Sequence, residues 1–124
     1  MSKHIKGTNV SVSQELAVYL EKKLESLKKF VDYESDAVRF DIELGKTTRR
    51  HQTGDIFRAE FNIFVGGKSF RAACESESLH SAIDLVKDEI LHALRADKNK
   101  RMSLLRRSGE RIKLFIKGLY KRRR

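Results

Sequence analysis

The 124-residue sequence has no proline, no tryptophan and one cysteine. Without proline, helix ends must come from caps, glycines and changes of pattern. Cys74 has no second cysteine for an internal disulfide, so a reducing compartment and a cytoplasmic location are the expectation. No stretch approaches ~18 uninterrupted apolar residues, so no membrane span is expected. The start, Met1-Ser2-Lys3-His4-Ile5, lacks the apolar core of a signal peptide. Charge, by contrast, is plentiful: 27 Lys/Arg against 17 Asp/Glu, a net of +10. An excess of that size favours a polyanionic partner, either nucleic acid or an anionic membrane surface. The 40% of hydrophobic residues suffices for one core, and the length suits one domain with an appendage.

The excess is uneven. Residues 1–94 hold 14 Lys/Arg against 15 Asp/Glu, whereas residues 95–124 hold 13 against 2. A near-neutral body therefore carries a very basic C-terminal segment. Such asymmetry suggests an interacting tail, the plainer reading being a segment that only aids solubility.

Periodicity supplies the elements. Lys3 to Gly7 reads as a short strand around Ile5, and Thr8-Asn9 as a turn. Ser13 precedes a helical stripe of Leu16, Leu20, Leu24, Leu27 and Val31, with Lys22, Lys23, Lys28 and Lys29 off that stripe. After a break at Asp32–Ser35, the period becomes two: Val38, Phe40, Ile42 and Leu44 share one strand face. Gly45 to Asp55, polar and containing Lys46, Arg49, Arg50 and His51, reads as a mobile loop. Phe57, Ala59, Phe61, Ile63 and Val65 form the next inner face. Gly66-Gly67 is a two-residue hairpin signal, and Phe70, Ala72 and Cys74 line a further strand. Ser78 caps a second helix with Leu79, Ile83, Val86, Ile90 and Leu94 as its stripe and Ala82 and Ala93 beside it. Ser108-Gly109 is the next expected break, followed by Ile112, Phe115, Ile116 and Leu119 at helical spacing. The order β-α-β-β-β-α predicts an α+β fold: a four-stranded mixed sheet, its first two strands parallel, with two helices on one face. A basic C-terminal tail follows.

Chemistry is sparse. None of His4, His51, His80 and His92 is four residues from another, so no metal-ligand spacing is present and no metal or cofactor is expected. Cys74 on an inner strand face packs more readily than it reacts. Gly66-Gly67 lacks the following Gly-Lys-Ser/Thr of a phosphate cradle. Asp88-Glu89 are adjacent and do not face each other on a helix. No nucleophile–base pair is visible, which points away from an enzyme and from a small-molecule substrate. The remaining reading is a binding module with two basic rows, Lys22, Lys23, Lys28 and Lys29 on the first helix and Arg95, Lys98, Lys100 and Arg101 on the second. If the helices lie side by side, the rows flank a groove-like surface. An ordinary solvated helix face is the plainer alternative.

These residues also carry a resemblance. Val12-Ser13 leads into a helix ending Lys23-Leu24-Glu25-Ser26-Leu27-Lys28-Lys29-Phe30. Leu44-Gly45-Lys46 closes a strand as a Leu-x-Lys motif. Glu77-Ser78-Leu79-His80-Ser81-Ala82-Ile83-Asp84 is similar to an Asp-Met-Tyr-x-Ala-Ile-Asp block, with Leu94 and Lys98-x-Lys100 at the right distance. Over residues 3–101 the chain resembles the short ribosome hibernation-promoting factors and ribosome-associated translation inhibitors of bacteria. It departs from their pattern at Ser78 (usually Asp), His80 (usually Tyr) and His92-Ala93 (usually Arg-Gln).

The resemblance implies a fold similar to a double-stranded-RNA-binding domain with an extra strand. It also implies that residues 1–101 bind the small ribosomal subunit and its rRNA at the decoding region, in the mRNA/tRNA channel and near its ribosomal proteins. Occupying that channel would inhibit translation under stress or in stationary phase. Lys23, Lys29, Lys46, Lys98 and Lys100 match the family's RNA-facing basic positions; Lys22, Lys28, Arg95 and Arg101 follow from charge placement. Residues 102–124 match nothing in the pattern and read as a basic, partly amphipathic extension. Two other functions remain open at this level: general RNA or DNA binding through the tail, and association of the tail with an anionic membrane, the latter less expected because rRNA already supplies a polyanion.

Overall fold

A computed structural model describes residues 2–32, 35–48 and 54–123, with side chains described as far as Arg107 and Thr48 excepted. The elements run β1 (Ser2–Thr8), α1 (Gln14–Glu25), β2 (Arg39–Thr48), β3 (Asp55–Val65), β4 (Lys68–Ser76) and α2 (Leu79–Arg123). The chain separates into two compact units, Met1–Leu94 and Arg95–Arg124; α2 contributes to both.

In the first unit the strands form one mixed sheet in the order β1-β2-β3-β4. β1 runs parallel to β2, and the two remaining pairs are antiparallel. The crossover from β1 to β2 passes through α1, which makes the parallel pair possible. The inner faces are in register, Phe40 opposite Ile63, Ile42 opposite Phe61 and Leu44 opposite Ala59, with Phe61 opposite Ala72 and Ile63 opposite Phe70. Leu16, Leu20 and Leu24 of α1 and Ala82, Ile83, Val86, Ile90 and Leu94 of α2 join those strand residues in one buried cluster. Both helices therefore cover the same face of the sheet, as the alternation of period two and period 3.6 requires.

Local chemistry sets the boundaries. The Ser13 hydroxyl accepts from the Leu16 N–H at 3.1 Å and caps α1. Ser78 does the same for α2, accepting from the Ser81 N–H at 3.1 Å. α1 ends at Glu25, yet Leu27 and Val31 stay buried. Past Glu25 the backbone tightens into three-residue steps, with the Leu27 N–H on the Leu24 carbonyl and the Phe30 N–H on the Leu27 carbonyl, both at 3.0 Å. Asn9, at φ 59°, turns the chain out of β1. Gly66 and Gly67, at φ 55° and 75°, close the β3–β4 hairpin between Val65 and Lys68; positive φ at both central positions makes a turn whose twist suits the strands.

Two expectations about boundaries change. The polar stretch from Gly45 is not all loop: Gly45, Lys46, Thr47 and Thr48 extend β2 and pair with Arg58, Phe57, Ile56 and Asp55. Residues 49–53, with Arg49, Arg50 and His51, lie outside the described residues, as do Tyr33 and Glu34 in the Asp32–Ser35 break. Nor does the helix stop at Ser108-Gly109, since α2 runs through to Arg123. One glycine inside a helix costs only about 1 kcal/mol relative to alanine, and no proline enforces a stop. The side chains of Ile112, Phe115, Ile116 and Leu119 fall outside those described.

Candidate nucleic-acid interface

Each face of the sheet can be weighed by its charges. Strand alternation puts Lys6, Arg39, Arg58 and Arg71 on the outer face together with Asp41, Glu43, Glu60 and Glu75. The two signs balance and are interlocked. Arg39 forks onto Asp41, with Nη2–Oδ2 at 2.7 Å and Nε–Oδ1 at 3.0 Å, and its guanidinium lies 5.5 Å from the centre of the Phe64 ring. The bond to Asp41 raises the Arg39 pKa further. Glu60, only 7% exposed, is held by Arg71 across the strand from Glu43. A balanced, self-paired face offers a polyanion no net attraction.

Charge of one sign gathers instead at the C-terminal end of α1. Lys22, Lys28 and Lys29 are exposed there, with Glu25 as the nearby carboxylate, 3.9 Å from the Lys28 ammonium. Among the described residues, Lys22 and Lys29 have no ion-pair partner. Lys22 also lies in the last turn of α1, where it complements the helix dipole.

Lys23 behaves differently from its neighbours. Sequence pattern places it off the apolar stripe; the structure turns it into the seam between α1 and α2, because it lies three residues from Leu20 and four from Leu27, both buried. Its ammonium is 3.0 Å from Asp84 Oδ1 and 5.1 Å from the centre of the Tyr19 ring. The Tyr19 hydroxyl donates to the same Asp84 oxygen at 2.6 Å, and His80 stands edge-on to Tyr19 at 4.5 Å. These groups tune one another. Burial pushes the Asp84 carboxyl up, but hydrogen bonds from Tyr19 and Lys23 and the charges of Lys23 and Lys87 outweigh it and hold the group below its ordinary value. The bond to Asp84 raises the Tyr19 phenol, helped by burial, and also raises Lys23. Lys23 is thus charged but already paired. Sequence pattern missed this cluster; the available signal was the four-residue spacing of Tyr19 and Lys23 on one helix and of His80 and Asp84 on the other.

Lys46 is also paired, 3.0 Å from Asp55 across the β2–β3 ladder. The second row belongs to the second unit. Arg95, Lys98, Lys100 and Arg101 are exposed along α2, with Arg101 Nε 2.9 Å from Asp97 one turn earlier. His80 and His92 are on the helix surface and Cys74 is half-buried; burial, then the Glu89 charge, push the Cys74 thiol up. Among the described residues, no group of three or more His, Cys, Asp or Glu is placed to hold a metal ion. No helix among them is long and apolar enough to cross a membrane.

Comparison with known proteins bears on the same region. The family model described as Sigma 54 modulation protein / S30EA ribosomal protein matches residues 4–102. A ribosome hibernation promotion factor of Picosynechococcus sp. is 34% identical over 96 residues, covering 77% of this chain and 48% of that protein. One from Bacillus subtilis is 24% identical over 119 residues, covering 96% of this chain and 60% of that protein. The chain thus spans about half to three fifths of the length of these relatives. Among solved structures, the N-terminal domain of Thermus thermophilus Protein Y superposes with a TM-score of 0.63 at 24% identity, covering 76% of this chain and 93% of that one. A ribosomal subunit interface protein from Coxiella burnetii gives 0.62 at 20% identity, covering 80% and 99%. The structural likenesses confirm the fold.

Proposed function

The chain belongs to the Sigma 54 modulation protein / S30EA ribosomal protein family, and from that membership we propose that it is a ribosome hibernation factor. The observation that carries the proposal is the family match over residues 4–102, joined to relatives named for ribosome hibernation. The proposed partner is the small ribosomal subunit, bound through its rRNA in the mRNA/tRNA channel of the cytoplasmic ribosome. A layout similar to a double-stranded-RNA-binding domain, with helices on one side of a sheet, forms part of this reading.

The mechanism is occlusion. A rigid module seated in the channel excludes mRNA and tRNA by its volume, and needs no nucleophile, metal or cofactor. Its chemistry is phosphate neutralisation by Lys and Arg. Lys22, Lys28 and Lys29 at the end of α1 are the first contacts proposed, with Lys98, Lys100, Arg95 and Arg101 contributing from α2. Lys23 and Lys46 enter with a partner already in place, so a phosphate must share them with Asp84 and Asp55. Their net contribution is smaller than that of an exposed lysine.

Sedimentation through a sucrose gradient at low salt tests the proposal: the protein travels with small subunits and whole ribosomes, and the association falls steeply as salt rises. Protein that stays at the top of the gradient overturns it. Exchanging Lys23, Lys29, Lys98 and Lys100 for Glu abolishes inhibition of in-vitro translation; unchanged inhibition shows that these surfaces are not the contact.

A further inference from the structure

The second unit is the part of the chain that family membership explains least. The family match ends at residue 102, whereas α2 continues to Arg123. Residues 95–124 hold 13 Lys/Arg against 2 Asp/Glu. Every residue from Lys98 to Arg107 is exposed, Arg106 and Arg107 included. Met102, Leu104 and Leu105 are 46%, 52% and 63% exposed, so apolar burial adds little to the described stretch from Lys98 to Arg107.

Electrostatics adds a further cost. Arg107 and Arg111, Lys113 and Lys117, and Lys117 and Lys121 recur four residues apart, and like charges at that spacing destabilise a helix. Gly109 and Gly118 each weaken it further, by about 1 kcal/mol relative to alanine. A helix with this composition gains most from a ligand that cancels positive charge along its length. The phosphate backbone of nucleic acid is such a ligand, with charges repeating along an extended line. A lipid surface would have to bury the spaced Ile112, Phe115, Ile116 and Leu119 as well, whereas a phosphate backbone needs only the charges.

We propose that the part of α2 beyond the family match, residues 103–123, is a second, separate phosphate-backbone contact, so that the chain grips RNA at two independent places. This inference rests on the reading of the partner as rRNA. It assigns α2 beyond the family match to affinity and to salt dependence, and leaves occlusion of the channel to the residues within the match.

The test uses the full chain and two double variants, Arg106→Gln with Arg107→Gln in the second unit and Lys22→Gln with Lys29→Gln in the first. Affinity for purified small ribosomal subunits is measured by fluorescence anisotropy from 50 to 200 mM salt. Each phosphate contact contributes a slope of about 0.7–0.9 in log affinity against log salt. The Arg106/Arg107 variant is expected to lose about tenfold less affinity over that range than the parent, and to bind more weakly than the parent at 50 mM. If it matches the parent in slope and affinity while the Lys22/Lys29 variant does not, the second contact is refuted and the family reading stands. If the parent does not bind subunits at all, the family reading itself fails. Vesicles containing phosphatidylserine form the last arm: retention by vesicles that depends on Leu104 and Leu105, with no effect of Arg106 or Arg107 on RNA affinity, assigns the segment to a lipid surface and overturns the proposal.

Discussion

Replacing Asp84 by alanine removes the acceptor that joins α1 to α2. Two interactions end at that carboxylate: the Tyr19 hydroxyl at 2.6 Å and the Lys23 ammonium at 3.0 Å. A hydrogen bond to an ionised group contributes about 1.5 kcal/mol. The ion pair is half-exposed, with side chains 29% and 43% accessible, so it adds only about 0.5 kcal/mol. The expected loss is about 2 kcal/mol, or a fall of about 10 °C in Tm for a cooperative unit of this size. Tyr19→Phe alone costs about 1 kcal/mol, and a double-mutant cycle between the two positions gives a coupling of about 1 kcal/mol. Urea melts of the four proteins measure all of these. Effects that add to within about 0.3 kcal/mol refute the claim that the two side chains act as a pair. The pH dependence has a definite sign. Asp84 is held below its ordinary value, so its contribution is present above the carboxylate range and is lost as pH falls through the lowered folded value. Tyr19 and Lys23 are raised, so theirs are present below their ordinary values and are lost as pH rises through the raised folded ones. The Asp84→Ala penalty is therefore flat from about pH 5 to pH 9 and shrinks at both ends.

Three further outcomes follow from the structure. Arg71→Ala leaves Glu60, 7% exposed, directly opposite Glu43 without its cation; it costs about 2 kcal/mol in urea denaturation, and adding Glu60→Gln recovers part of the loss. Gly7→Ala brings a Cβ to within 2.7 Å of the Val10 carbonyl oxygen, and the backbone shift this demands lowers stability by about 1–3 kcal/mol, read as a lower Tm. Cys74, half-buried with its thiol pushed up by burial and then by Glu89, reacts slowly with iodoacetamide at pH 8 in the native protein and rapidly in denaturant; fast native alkylation contradicts its packing.

Sequence pattern carried the elements because burial in this fold is regular. Val38, Phe40, Ile42 and Leu44 alternate, and all four are buried; the α2 stripe from Ile83 to Leu94 recurs at helical spacing and is buried too. Pattern failed where pairing rather than burial decides. Gly45 to Thr48 are polar, yet ladder bonds to β3 hold them as strand. The passage of α2 through Ser108-Gly109 shows that a weak local breaker is outweighed by helical continuity on both sides. The candidate site was legible only as a list of lysines. Which of them are paired depends on Asp84 and Asp55, and the Lys23–Asp84 contact joins residues far apart in sequence, marked only by the four-residue spacings of Tyr19 with Lys23 and of His80 with Asp84. Glu60 is outward by alternation yet buried, and its pairing with Arg71 on the next strand is a relation that exists only once the register is set.

The most direct test of the account is a density map of the chain bound to the small ribosomal subunit. The expected result is density for the first unit within the mRNA/tRNA channel, with the α1 end bearing Lys22, Lys28 and Lys29 against rRNA phosphates. Density on the outside of the subunit, with the channel open to mRNA and tRNA, contradicts it.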